Sequence, residues 1–113
     1  MYKVYDMWPE ISRNAYNANY ESVNFTNVDN IVFSGMGGSG AIGDIFAAIL
    51  SKSNIHVSVV KGYNLPSTVN KNSLVVTTSV SGDTIETLSV LENAKKIGCN
   101  LIGFSSGGKM EKY

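Results

Sequence analysis

Several residue types that carry common protein chemistries are nearly missing from this 113-residue chain. It has one cysteine, Cys99, and one histidine, His56, which is too few for an internal disulfide or a Cys/His zinc site. Arg13 is the only arginine, and nine basic residues balance nine acidic ones, which removes the electrostatic basis for nucleic-acid binding. No apolar run approaches the roughly 20 residues that cross a bilayer, and the first ten residues lack a secretory signal. We therefore expect a cytoplasmic protein that binds no metal, cofactor, nucleic acid or membrane.

What the chain does have is the composition of a folded domain. Its apolar share is 43% and its charged share is 16%, a balance that argues against disorder. The length is typical of one domain, so we predict a single domain over residues 1–113. Residues 109–113 resemble the opening turn of another helix, and we expect the chain to be part of a longer protein.

Short apolar runs rich in valine and isoleucine alternate with helical patterns along the chain. The predicted strands are residues 30–34, 56–60, 73–78 and 100–104. Helices are predicted from Pro9 to about Val23, with Trp8 anchoring this helix to the domain, then over residues 41–52 and over residues 83–97. Such alternation predicts an α/β fold of three layers, α/β/α, with a mainly parallel, doubly wound sheet of the flavodoxin-like kind.

Three of the predicted strands end in small polar residues, and ligands bind at the carboxyl ends of such strands. The glycine loop (residues 35–40) and the hydroxyl loop (residues 79–84) both precede helices, whose first turns offer free N–H groups to an anion. Hydrogen bonds to charged oxygens contribute roughly 1.5–3 kcal/mol each, so neutral donors can hold a phosphate without lysine or arginine. The candidate phosphate-binding residues are Gly37, Gly38, Ser39, Ser79, Ser81 and Thr84. Residues 105–108 form a third loop of similar composition.

Other interpretations of these loops stay open. Glycines also occur where a helix packs closely on a strand, serine and threonine are ordinary N-caps, and Asp83 with Glu86 resembles a capping box. The spacing Gly35-x-Gly37-x-x-Gly40 matches the dinucleotide fingerprint, although the acidic residue expected about 20 positions later is missing. Lys61 occupies that neighbourhood, which keeps a cofactor with a 2′-phosphate possible.

The two loops together resemble those of the SIS (sugar isomerase) domain family. The carrying residues are Gly-Met-Gly-Gly-Ser-Gly at 35–40 and Ser-Val-Ser-Gly-Asp-Thr-Ile-Glu-Thr at 79–87. Within the family the chain is similar to the bifunctional phosphoglucose/phosphomannose isomerases of archaea and some bacteria, to which Trp-Pro-Glu at 8–10 and Ser-Ser-Gly-Gly-Lys at 105–109 also correspond. The resemblance covers nearly the whole chain.

This resemblance implies an enzyme that interconverts aldose and ketose phosphates through an enediol(ate), acting on glucose 6-phosphate and mannose 6-phosphate. The chain would be its N-terminal SIS half and would bind the hexose phosphate through the six candidate residues. In the family the glutamate base, the ring-opening histidine and an arginine lie beyond this half, so we expect no catalytic residue here. A homodimer is implied as well. The alternatives are a non-enzymatic SIS module that senses a phosphosugar and, less favoured, a dinucleotide-binding domain.

Overall fold

A parallel sheet of four strands forms the centre of the molecule, in the order β2-β1-β3-β4. The computed structural model describes residues 2–113. Its elements are α1 (Tyr2–Asn17), β1 (Asn30–Ser34), α2 (Gly38–Leu50), β2 (His56–Val60), β3 (Ser73–Thr78), α3 (Ile85–Ile97), β4 (Asn100–Phe104) and a terminal 3-10 turn (Lys109–Lys112). All four strands have the predicted bounds. Within the described residues no helix is both long enough and apolar enough to cross a membrane.

Helices α2 and α3 lie on opposite faces of this sheet. Gly43 of α2 lies directly against Phe33, because a Cβ placed on that glycine would be 2.9 Å from the Phe33 Cβ. In α3, Val90 and Ala94 belong to the buried cluster that contains Val32. Since successive strand residues face opposite sides of a sheet, Val32 and Phe33 place the two helices in separate layers. The predicted three-layer, doubly wound α/β/α fold is confirmed.

The two faces of the sheet are not equally covered. On the α3 face, Val69 in the long connection from β2 to β3 joins the core cluster, and Leu65 packs against it. On the α2 face, an apolar groove of about 450 Å³ remains over β3 and β4. Its lining residues are Phe33, Ile42, Phe46, Val76, Thr78, Ile102 and Phe104.

The first helix differs from its prediction. It spans Tyr2–Asn17 rather than residues 9–23, and Pro9 lies inside it instead of at its first turn. Trp8 is 54% exposed and stacks edge-on against Tyr5, so it does not anchor the helix to the sheet. A proline inside a helix removes one N–H donor, here the partner of the Tyr5 carbonyl. Because residues 3–17 are all exposed, water can hydrogen-bond to that carbonyl oxygen.

Candidate anion-binding site

The strand order places the glycine loop and the hydroxyl loop side by side at the carboxyl end of the sheet. β1 and β3 are adjacent and parallel, with Ser34 opposite Thr77 near their carboxyl ends. From β1 the chain crosses to β2 on one side, whereas from β3 it crosses to β4 on the other side. The reversal between β1 and β3 is the switch point at which such sheets form a ligand crevice. Ser39 and Ser81 therefore belong to loops that follow two neighbouring strands at the carboxyl end of the sheet.

The glycines of the first loop divide into two kinds. At Gly35 and Gly40 the chain is tightly packed, since an added Cβ would lie 2.8 Å from the Ser39 carbonyl carbon or 2.7 Å from the Gly35 carbonyl oxygen, respectively. At Gly37 and Gly38 an added Cβ would meet nothing within 4 Å, and both residues are exposed. The first pair is required by the turn itself. The second pair leaves bare backbone facing open space, as close approach of a ligand requires.

Helix α2 begins directly at this exposed backbone. Gly37 is its N-cap with a φ of 56°, and no side chain caps the first turn, which also has no acidic residue. The first N–H groups of any α-helix lack intrahelical partners, and the helix dipole adds positive potential there. Ser39, which is half-buried, lies in this first turn. The start of α2 therefore offers donors to an anion and places no carboxylate against it.

The three hydroxyls of the second loop differ in exposure and bonding. Ser79 is only 2% exposed; its Oγ accepts a hydrogen bond from the Gly82 N–H at 3.1 Å and lies 2.9 Å from the Thr84 Oγ1. Ser81 is exposed, and its Oγ accepts the Asp83 N–H at 3.2 Å. A hydroxyl has one hydrogen to donate, so Ser81 keeps its hydrogen, and the Ser79–Thr84 pair keeps one of its two. The loop therefore retains two hydroxyl donors.

The hydroxyl loop does not act as a side-chain cap of helix α3. Thr84 is the N-cap of α3, but its side chain makes no capping hydrogen bond. The capping box suggested by Asp83 and Glu86 is also not formed, because the Asp83 Oδ1 instead accepts the backbone N–H of Lys109 at 3.0 Å. The first-turn N–H groups of α3 are therefore left uncapped by these side chains.

Residues 105–110, the third segment, contact the hydroxyl loop closely, and this contact was not foreseen from the sequence. The Ser106 N–H bonds to the Val80 carbonyl at 3.2 Å, and the Met110 N–H bonds to the Gly82 carbonyl at 3.0 Å. A Cβ added at Gly82 would overlap the Gly107 carbonyl oxygen. The glycine pair at 107–108 was the only available signal for so close an approach.

The structure places none of the other charged or nucleophilic candidates, Lys61, His56 and Cys99, in a role at these loops. Lys61 packs its side chain against Gly40, but its ammonium is paired with Asp44 at 2.6 Å, so it is not a free cation for a 2′-phosphate. His56 is the first residue of β2 and so lies at the amino end of the sheet, away from the two loops at the carboxyl end. Burial raises the pKa of the Cys99 thiol, and Cys99 packs against the core cluster, as expected for a structural residue.

A parallel sheet whose strand order reverses between β1 and β3, with a glycine loop and a hydroxyl loop following those two strands, is typical of α/β ligand-binding domains. The chain belongs to the SIS domain family, whose model matches residues 24–109. The match includes the glycine loop, the hydroxyl loop and most of the third segment.

Individual relatives agree with this family. The chain is 35% identical over 112 residues to the bifunctional phosphoglucose/phosphomannose isomerase of Caldicellulosiruptor bescii, covering 98% of this chain and 31% of that protein. It is 40% identical over 83 residues to the protein of the same name from Thermoplasma acidophilum, covering 74% of this chain and 26% of the relative. A D-glucosamine-6-phosphate 4-epimerase of Sulfolobus acidocaldarius is 29% identical over 113 residues, covering 99% of this chain and 35% of the relative.

Solved structures share the fold. A candidate phosphosugar isomerase from Clostridium difficile 630 superposes with a TM-score of 0.71 at 22% identity, covering 92% of this chain and 31% of that chain. At this identity the likeness concerns the fold alone. The chain spans between about a quarter and a third of the length of the two curated relatives from Caldicellulosiruptor bescii and Thermoplasma acidophilum.

Proposed function

We propose that this chain binds the phosphate group of a hexose phosphate and forms the N-terminal SIS half of a glucose-6-phosphate/mannose-6-phosphate isomerase. The observation that supports the proposal is the strand order, in which the two neighbouring strands at the switch point are each followed by an uncapped helix start, one of them with free hydroxyl hydrogens. The names of two relatives, both bifunctional phosphoglucose/phosphomannose isomerases, support the substrate class and the reaction. A cytoplasmic location and a homodimer belong to the same proposal.

Each candidate residue has a role in holding the phosphate. The backbone at Gly37 and Gly38 lets the ester oxygens approach the start of α2, and Ser39 adds a hydroxyl. Across the crevice Ser81 donates its free hydrogen, while Ser79 and Thr84 act as a hydrogen-bonded pair that donates one more. Together these groups would satisfy a doubly charged phosphate with neutral donors.

The chemical step needs residues that we do not assign to this chain. Aldose–ketose isomerisation moves a proton between C1 and C2 through an enediol(ate), so a base with a tuned pKa has to lie beside those carbons. No such base is proposed among these 113 residues; the chain fixes the phosphate end of the substrate. We accordingly expect binding of hexose 6-phosphates by the chain alone without measurable turnover.

Calorimetric titration with glucose 6-phosphate, and with glucose as the uncharged comparison, tests the binding site. Ser81→Ala should weaken glucose 6-phosphate binding about tenfold or more, since a hydrogen bond to a charged group contributes roughly 1.5–3 kcal/mol. Ser53→Ala is the matched control, because its hydroxyl bonds only to the Leu50 carbonyl at the far end of α2. Equal affinities of Ser81→Ala and Ser53→Ala would refute the site, and tight binding of NADPH without glucose 6-phosphate binding would refute the function.

A further inference from the structure

Several acceptor atoms of the hydroxyl loop bond to the third segment of the chain. Carbonyl and carboxylate oxygens carry negative charge and repel a phosphate that lies nearby, so their direction matters as much as that of the N–H groups. Three of the loop's oxygens matter here: the carbonyls of Val80 and Gly82 and one carboxylate oxygen of Asp83. All three accept hydrogen bonds from the third segment.

The contacts form a continuous series along the two segments. The Val80 carbonyl accepts the Ser106 N–H at 3.2 Å and also the Ser106 hydroxyl. The Gly82 carbonyl accepts the Met110 N–H at 3.0 Å, and the Asp83 carboxylate accepts the Lys109 N–H at 3.0 Å. Within residues 2–113, the N–H groups of Val80 and Ser81 donate no hydrogen bond to a backbone carbonyl.

The loop is therefore polarised: three of its oxygens bond to the third segment, while the N–H groups of Val80 and Ser81 and the hydroxyl hydrogen of Ser81 stay free. The packing at this contact allows little adjustment. A Cβ added at Gly108 would overlap the Ser81 carbonyl oxygen, just as one at Gly82 would overlap the Gly107 carbonyl. A loop held this closely does not need to reorganise when an anion arrives, which favours binding.

We propose that Ser106 is a positioning residue of the phosphate site. Through its hydrogen bonds to the Val80 carbonyl it keeps that oxygen turned away from the crevice and so sets the preference of the loop for a doubly charged ligand. Ser106 itself need not touch the ligand. This inference rests on the proposed function.

The test compares Ser106→Ala, Ser106→Thr and Ser105→Ala. The Ser105 hydroxyl bonds only within its own segment, to Gly107, which makes Ser105→Ala the matched control. The ligands are glucose 6-phosphate and glucose 6-sulfate, which carry two charges and one charge. Ser106→Ala should weaken glucose 6-phosphate binding about fivefold and glucose 6-sulfate binding about twofold, because electrostatic repulsion scales with ligand charge. Ser106→Thr keeps the hydroxyl and should restore both affinities.

The outcomes separate this inference from the proposed function. If the unsubstituted chain binds glucose 6-phosphate while Ser106→Ala and Ser105→Ala bind it equally, the role of Ser106 is wrong and the phosphate site stands. Equal losses for both ligands would reduce Ser106 to a structural residue and overturn the inference as well. If the unsubstituted chain does not bind glucose 6-phosphate, the proposed function fails first.

Discussion

One pair of glycine substitutions measures how much the contact between the hydroxyl loop and the third segment contributes to the free energy of unfolding. Gly82 and Gly98 have similar left-handed backbones, with φ of 72° and 78°. They differ in their surroundings: a Cβ at Gly98 would meet nothing within 4 Å, whereas one at Gly82 would lie 2.5 Å from the Ser105 Oγ and overlap the Gly107 carbonyl oxygen. Alanine at either position has the same backbone strain, and only alanine at Gly82 also collides with a neighbouring segment.

The expected magnitudes follow from these two terms. Left-handed backbone costs an L-residue roughly 1–2 kcal/mol, so Gly98→Ala should lower the free energy of unfolding by about 1 kcal/mol. Overpacking adds roughly 1–3 kcal/mol, so Gly82→Ala should lower it by about 3 kcal/mol. Because small domains are stable by only about 5–15 kcal/mol, both variants should remain mostly folded at 25 °C.

Urea unfolding, followed by circular dichroism, measures the difference between the two variants. Glucose 6-phosphate titration of the same samples should find binding lost in Gly82→Ala and kept in Gly98→Ala. Equal destabilisation of the two variants, within error, would refute the close contact between the hydroxyl loop and the third segment. Retained binding in Gly82→Ala would show that the contact does not support the site.

Two further predictions concern the core and the thiol. Val75 is fully buried in β3, so Val75→Ala should lower the free energy of unfolding by about 2 kcal/mol. Val80→Ala, at a side chain that is 72% exposed, should change it by less than about 0.5 kcal/mol. Urea unfolding measures both values, and similar losses would contradict the assigned core. Burial raises the pKa of Cys99, so iodoacetamide should modify it more slowly at pH 8 than in the urea-unfolded chain, as followed by mass spectrometry. A group whose pKa is raised on folding contributes stability below its unfolded pKa and loses it as the pH rises, so stability should fall as the pH rises above about 9. Equal alkylation rates would show that the thiol is not protected.

The sheet could be predicted well from the sequence because its strands are buried and short. Continuous Val and Ile runs bounded by glycine or polar residues, such as 30–34 and 73–78, leave little choice of state or boundary. That the glycine loop and the hydroxyl loop lie at the same end of the sheet followed from parallel strands, but that they leave neighbouring strands did not. The strand order itself required the structure, since periodicity carries no information about which strands are neighbours.

The errors arose where local pattern was a poor guide. Pro9 was interpreted as a helix start because proline is common there, yet in an exposed helix its missing donor can be replaced by water. The spacing of Asp83 and Glu86 leaves a capping box open as an alternative, but a non-local partner, the Lys109 N–H, bonds to the Asp83 carboxylate instead. Roles set by long-range contacts, including that of Ser106, could not be found from spacing.

The burial of Met110 has a practical consequence for where this domain can be cut. The family model ends at residue 109, but the Met110 side chain is buried and its N–H bonds to the Gly82 carbonyl. A truncation designed on the family boundary would remove that anchor and with it one of the hydrogen bonds that hold the hydroxyl loop, 28 residues earlier in the sequence. Expression designs that keep Met110 therefore preserve the full set of contacts between the hydroxyl loop and the third segment, and those that stop one residue short lose the buried Met110 side chain.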